Sequence, residues 1–181
     1  MDLTEKQLKR QTLYTGRIIT VYKDDVKLIN NATTTREVVS HPGGVAVVAL
    51  TPNDEVFLVR QFRYPYQKEI LEIPAGKLEK DEEPFLAMKR ELQEETGAIA
   101  NTFTFLGEMY PSPGFSDEVL YLWACRITEM GKMNLDDDEF LEVQTIPFEE
   151  ALNKVLNNDI KDAKTQVGLL RTKLLLDTNQ L

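Results

Sequence analysis

Between Gly76 and Ala98 the chain reads GKLEKDEEPFLAMKRELQEETGA, and this stretch leaves little freedom in local structure. Pro84 suits a first helical position, where its missing N–H is no loss, and Gly97 suits the residue just past the last turn. The interval therefore predicts one short helix. On it Glu91, Glu94 and Glu95 stand at i, i+3 and i+4 and share a face, with Phe85, Met88 and Leu92 as an adjoining apolar stripe. One side can pack on a core while the neighbouring side gathers carboxylates. Glu79, Asp81, Glu82 and Glu83 crowd the approach to the helix.

Two readings of so much negative charge compete. Two carboxylates about 4 Å apart repel by roughly 4 kcal/mol at an effective dielectric near 20. In open water a like-charge pair at i, i+4 costs only about 0.2–0.5 kcal/mol. A solvated acidic face, partly offset by Lys89 and Arg90, is therefore affordable. The sharper reading is a divalent metal. Mg²⁺ takes carboxylate and carbonyl oxygens and keeps waters that a phosphate substrate can replace. Energetics leave both open.

Composition narrows the chemistry. A net charge of -9 argues against a duplex nucleic-acid surface, although a metal and a few arginines can reverse the field in one cleft. The single cysteine, Cys125, permits no internal disulfide, and its apolar surroundings from Val119 to Ile127 suggest a buried thiol. His41 is the one histidine, which excludes His-based triads and zinc sites built on several His or Cys ligands. The start, MDLTEKQLKR, lacks the apolar core of a signal peptide, and no run approaches a membrane span. The expectation is a cytoplasmic protein with neither membrane nor nucleic-acid partner.

In chain order, residues 1–10 read as a polar lead-in or short helix. The intervals 17–28 and 33–40 are β-prone and separated by Asn30-Asn31, giving a front portion of two or three strands. A sheet that small is marginal alone and must pack on the rest of the chain or on a second copy. His41-Pro42-Gly43-Gly44 punctuates a boundary. Residues 1–42 are expected to form a β-rich, dimer-forming segment and 43–181 the main domain. In the latter, the continuous apolar run Val45 to Leu50 predicts a buried central strand, paired as a hairpin with Val56 to Phe62. Further strands are expected at 70–73, 102–109, 119–127 and 141–146, and helices at 147–156 and 165–176. The polar interval 128–139 is too long for a plain connection, which suggests a functional loop. The fold class is α+β, a mixed sheet with helices on its faces.

The opening stretch also carries a resemblance. Gly76, Glu82, Arg90-Glu91-Leu92, Glu94-Glu95, Gly97 and Ala98 match, residue by residue, the signature of the Nudix hydrolases. Ala98 is smaller than the usual bulky aliphatic residue there. The resemblance implies an α/β/α sandwich and hydrolysis of a nucleoside diphosphate linked to another group, with Mg²⁺ or alternatively Mn²⁺. The segment Ser112-Pro113-Gly114, followed by Glu118, is similar to one in ADP-ribose pyrophosphatases, as are Arg36-Glu37 and Gln61-Phe62-Arg63. An ordinary Pro/Gly turn is the bland alternative for that segment.

By that resemblance, Glu91, Glu95 and Glu94 are the expected metal ligands, with the Ala75 carbonyl as a further oxygen. Glu82 acts through water or through Arg90, whose guanidinium is expected to orient the carboxylates. The general base is expected on the loop Asp136-Asp137-Asp138-Glu139, with Glu139 first and Asp137 next; a solvated charge run is the alternative. Arg36 and Arg63 are expected to pair with phosphate oxygens, Gly114 to line the substrate, and Glu118 to bond the terminal ribose hydroxyls. Arg17 stands where the subgroup has an aromatic adenine partner, and a guanidinium can stack as well; Tyr14 and Tyr22 are alternatives. The expected reaction splits ADP-ribose into AMP and ribose 5-phosphate, in a homodimer. The rivals are a hydrolase of another nucleoside diphosphate sugar, a non-catalytic ADP-ribose sensor, which would not need the full set of carboxylates, and a plain acidic scaffold.

Overall fold

The computed structural model describes residues 1–136 and 139–181. The chain divides into two compact units, Met1–Gly43 with Tyr110–Val119, and Gly44–Met109 with Leu120–Leu181.

The first unit is a three-stranded antiparallel sheet in the order β1 (Lys6–Thr15), β2 (Thr20–Lys27) and β3 (Thr33–Ser40). The strand β1 corrects the expected lead-in or short helix. Every residue of β1 is exposed, so the sequence has no apolar alternation to announce a strand. Pairing to β2 holds it instead, from Lys6 opposite Lys27 to Thr15 opposite Thr20. Across that pair Arg10 grips the buried Asp24 with bonds of 2.9 and 2.7 Å. The Pro/Gly-rich segment joins this unit through β3: Val39 donates to the Phe115 carbonyl at 2.7 Å and accepts from the Asp117 N–H at 3.1 Å.

The second unit is built on a mixed sheet in the order β12 (Leu141–Pro147), β5 (Glu55–Arg63), β4 (Gly44–Leu50), β10 (Leu120–Arg126) and β9 (Phe103–Met109). Two short strands pair onto it, β6 (Lys68–Glu72) on β5 and β7 (Ala75–Lys77) on β4. The β10–β4 pairing is parallel and the other pairings are antiparallel. All seven residues of β4 are buried, as the unbroken apolar run predicts. Its side chains alternate between two cores. Ala46, Val48 and Leu50 meet Phe148, Ala151 and Leu152 of α2 (Phe148–Leu156) and Leu169 of α3 (Ala163–Asp177). Val45, Val47 and Ala49 meet Ala87, Met88 and Leu92 of α1 (Pro84–Thr96), with Trp123 and Cys125. The unit is thus an α/β/α sandwich. Burial pushes the Cys125 thiol up to about 12, so it is an inert part of the core.

The polar interval after β10 is less regular than a strand but not strandless: β11 (Glu129–Met130) pairs with β8 (Ala98–Ile99) just past α1. Two more backbone bonds tie this segment to the helix, Gly131 N–H to Gly97 O at 2.6 Å and Asn134 N–H to Glu94 O at 2.9 Å. Residues 129–134, which precede the loop expected to carry the base, are therefore anchored at the C-terminal end of the acidic helix. Among the described residues, no helix is long and apolar enough to cross a membrane.

Candidate active site

The helix α1 begins where Pro84 places it. Glu83 is its N-cap and accepts the Leu86 N–H at 2.9 Å, and Gly97 ends it at φ 72°, a left-handed conformation that glycine adopts without strain. Met88 and Leu92 are buried against β4, which fixes the helix rotation and aims Glu91 and Glu95 along the sheet. Both carboxylates are buried, at 8% and 3% exposure.

What meets them is the pair Ala75-Gly76 of β7. The Ala75 N–H donates to Glu95 Oε2 at 2.9 Å. Gly76 lies so close to Glu91 that a Cβ there would stand 1.8 Å from its carboxyl carbon. Glycine at position 76 is therefore a steric requirement of the Glu91 carboxylate. Arg90 gathers the remaining charge. It binds Glu82 through Nε and Nη2 at 3.0 and 3.1 Å, and its Nη1 bridges Glu91 and Glu94 at 2.9 Å each. The hydrogen bond to Arg90 holds the Glu82 carboxyl below its ordinary range.

Burial sets the protonation of the other two. It pushes Glu91 up to about 6 despite Arg90, and Glu95 up to about 8 despite the Ala75 N–H. The charge of Glu139 raises both further, which locates Glu139 near this face. A dry pair of carboxylates that resists ionisation needs a cation to become stable as anions. Among the described residues, no three His, Cys, Asp or Glu side chains form a ready cage. A divalent cation can be held by one or two carboxylates and completed by waters and substrate phosphates. Glu91 and Glu95 can hold it with the Ala75 carbonyl, and Glu94 can join by leaving Arg90. Asp137 lies outside the described residues.

Arg63, at the end of β5, is bound side-on by the buried Glu72 at 2.6 and 2.7 Å, while its charge is felt by Glu95. The second unit thus brings together Ala75, Glu91, Glu94, Glu95, Glu139 and Arg63. Arg17, Arg36, Gly114 and Glu118 lie in the first unit. There Arg36 pairs with Glu5 at 3.0 and 2.6 Å and also donates to the Thr35 carbonyl. Arg17 is exposed at the bend before β2. Of the alternative aromatic partners, Tyr14 is exposed, and Tyr22 has the Arg10 guanidinium 4.2 Å above its ring. Glu118 approaches His41 Nδ1 at 3.5 Å, and that nitrogen accepts the Gly43 N–H at 3.1 Å. A Cβ at Gly114 would meet nothing within 4 Å, so packing does not demand glycine at that position.

Glu72 lies outside the sequence motif. A lone carboxylate in the apolar run Ile70 to Ile73 was its signal: a buried charge needs partners, and these lie across the β5–β6 pairing and on α3.

The NUDIX domain profile matches residues 40–166. The chain belongs to the Nudix family. Among its relatives, the ADP-ribose pyrophosphatase of Bacillus subtilis (strain 168) is 43% identical over 170 residues, 93% of this chain and 92% of that protein. The methanol dehydrogenase activator of Bacillus methanolicus is 40% identical over 167 residues, 91% and 90% of the two chains. A solved structure of an ADP compounds hydrolase superposes with a TM-score of 0.84 over the whole of both chains at 20% identity, a likeness of fold. Within this Nudix chain, the matched interval contains the whole acidic helix, Arg63 and the Glu72–Gly76 stretch.

Proposed function

We propose that this Nudix protein is an enzyme that hydrolyses the diphosphate of ADP-ribose to AMP and ribose 5-phosphate. The observation that carries the chemistry is the buried Glu91–Glu95 pair facing Ala75 and Gly76. The extended likeness to an ADP-ribose pyrophosphatase supports the choice of substrate. Mg²⁺, with Mn²⁺ as a substitute, would be held by Glu91, Glu95, Glu94 and the Ala75 carbonyl. When bound, the metal neutralises diphosphate charge and lowers the pKa of the attacking water.

The chain's own groups do the rest. Glu139 takes a proton from the water that attacks phosphorus, and one P–O bond of the anhydride breaks, with its electron pair leaving on the departing phosphate. Asp137 is the alternative base. Arg63 and Arg36 bind phosphate oxygens, Arg36 after giving up Glu5. Glu118 accepts from the terminal ribose hydroxyls, the backbone at Gly114 borders the sugar, and Arg17 stacks on adenine. Arg90 holds Glu82, Glu91 and Glu94 together and oriented by charge-assisted bonds.

Residues 1–42 are assigned to dimer formation and 43–181 to hydrolysis, in the cytoplasm. All ten residues of β1 are exposed, Leu8, Leu13 and Tyr14 among them, and a second copy would cover them. A fully active monomer in sedimentation would contradict that assignment.

The test of the reaction is phosphorus NMR of ADP-ribose incubated with the protein and Mg²⁺. The diphosphate resonances should give way to those of AMP and ribose 5-phosphate, and excess chelator should stop the change. Intact ADP-ribose after long incubation with metal overturns the proposal. A second reading is suggested by the Bacillus methanolicus relative: the chain activates a methanol dehydrogenase. Unchanged alcohol oxidation by a methanol dehydrogenase on adding this protein removes it.

A further inference from the structure

Glu72 is nearly inaccessible at 2% exposure, yet it faces two cations. Arg63 binds it through Nε and Nη2, and Lys164 of α3 donates to Oε2. Lys164 is itself fixed by Asp162 at 3.0 Å. Asp162 caps α3 by accepting the Thr165 N–H at 2.9 Å, and the Thr165 hydroxyl accepts the Ile73 N–H at 2.9 Å. Helix cap, lysine, glutamate and arginine therefore form one connected network. It ends at a guanidinium that is partly open to solvent and whose charge reaches Glu95.

Stability does not account for such a network. A buried ion cluster can commonly be replaced by apolar residues at no net cost, because desolvation cancels much of the attraction. What the network does supply is orientation. Two of the three guanidinium nitrogens are pinned, and among the described residues Nη1 makes no hydrogen bond. A long side chain held this way loses little further freedom when an anion binds. Burial pushes the Glu72 carboxyl up, but Arg63 and Lys164 outweigh burial and hold it below its ordinary range, so the anchor stays charged.

We infer that Glu72, braced by Lys164, is a positioning residue that holds Arg63 with its Nη1 edge toward the substrate diphosphate. This rests on the diphosphate-hydrolase reading of the site and adds two residues to it. Glu72 and Lys164 touch no substrate; they act through Arg63.

The experiment compares wild type, Glu72→Gln, the charge-balanced Glu72→Gln/Lys164→Met, and each Glu72 change combined with Arg63→Lys. The balanced variant leaves no unpaired buried lysine, so the test stays readable should the single change unfold the protein. Three quantities are read: affinity for inorganic pyrophosphate by calorimetry, affinity for Mn²⁺ without substrate by electron paramagnetic resonance, and kcat and KM on ADP-ribose. The Glu72 variants should lose about tenfold in pyrophosphate affinity and in kcat/KM. Their Mn²⁺ affinity should stay at the wild-type level. Once Arg63 is Lys, changing Glu72 should cost nothing more, because the two losses are one interaction. Wild-type pyrophosphate affinity in the balanced variant, or an undiminished second loss in the Arg63→Lys background, overturns the inference. If wild type binds pyrophosphate, loses it in the Glu72 variants and yet spares ADP-ribose, the substrate reading falls and the positioning role stands.

Discussion

Replacing Gly76 by alanine is the most local perturbation the site allows. The backbone accepts it: Gly76 is not among the positive-φ glycines, and β7 holds it opposite Val45 of β4. The new methyl would lie 1.8 Å from Glu91 Cδ, 2.0 Å from Oε1 and 2.4 Å from Cγ. Since carbon atoms settle about 3.5–4.0 Å apart, the carboxylate must retreat by roughly 2 Å. The side chain yields before the paired strand does, and in yielding it gives up the 2.9 Å bond to Arg90. A strained rotamer and a lost charge-assisted bond together cost about 1–3 kcal/mol, which a folded domain survives. Function is hit harder, because a misplacement of about 1 Å at a reacting centre costs on the order of 100-fold in rate. Circular dichroism should therefore report a folded protein with a modestly lower Tm, Mn²⁺ titration a weakened site, and turnover a fall of about two orders of magnitude. A folded Gly76→Ala protein with wild-type metal affinity and turnover would refute the idea that this glycine exists to seat Glu91.

Further outcomes follow from other groups. Burial pushes Glu95 up to about 8, so the metal-free native state keeps a proton that the unfolded chain releases near the ordinary glutamate pKa of about 4.3. That stabilising contribution is whole at low pH and disappears as pH rises through about 8, so metal-free Tm should fall over this window. Glu95→Gln should flatten that slope and abolish turnover, and Mg²⁺ should raise Tm most at the alkaline end; a flat wild-type profile contradicts this. Glu139→Gln should cut turnover with Mn²⁺ affinity retained, and if Asp137→Asn does so while Glu139→Gln does not, the base lies two positions earlier. Asp162→Ala should cost about 1–2 kcal/mol in denaturant unfolding through loss of the α3 cap, and an unchanged midpoint would show the cap to be idle.

The parts of this molecule that were legible from sequence are those where one chain segment carries its own signal. Pro84 and Gly97 bracket α1 because each satisfies a backbone requirement at a helix end, and the unbroken run at 45–50 marks a strand buried on both faces. β1 was not legible: its side chains all face water, and its evidence is the partner strand and the Arg10–Asp24 pair. The three-residue β7 was hidden for another reason, since Pro74-Ala75-Gly76 reads as a turn until β4 is laid beside it. In the site, the carboxylate face was visible at helical spacing. The partners of Arg63 were not, because Glu72 lies nine positions on across a sheet pairing and Lys164 a further 92 positions away. Long-range pairing of charges leaves no periodic trace.

In the proposed reaction Glu91, Glu95 and Arg63 serve hydrolysis of one class of diphosphate. Its most direct test is a panel of ADP-ribose, ADP-glucose and GDP-mannose with Mg²⁺, scored as kcat/KM for nucleoside monophosphate release, with Glu95→Gln as control. ADP-ribose should be strongly preferred and the control inert on all three. Equal rates on ADP-glucose and ADP-ribose would contradict the substrate assignment, and an active Glu95→Gln protein would contradict the site itself.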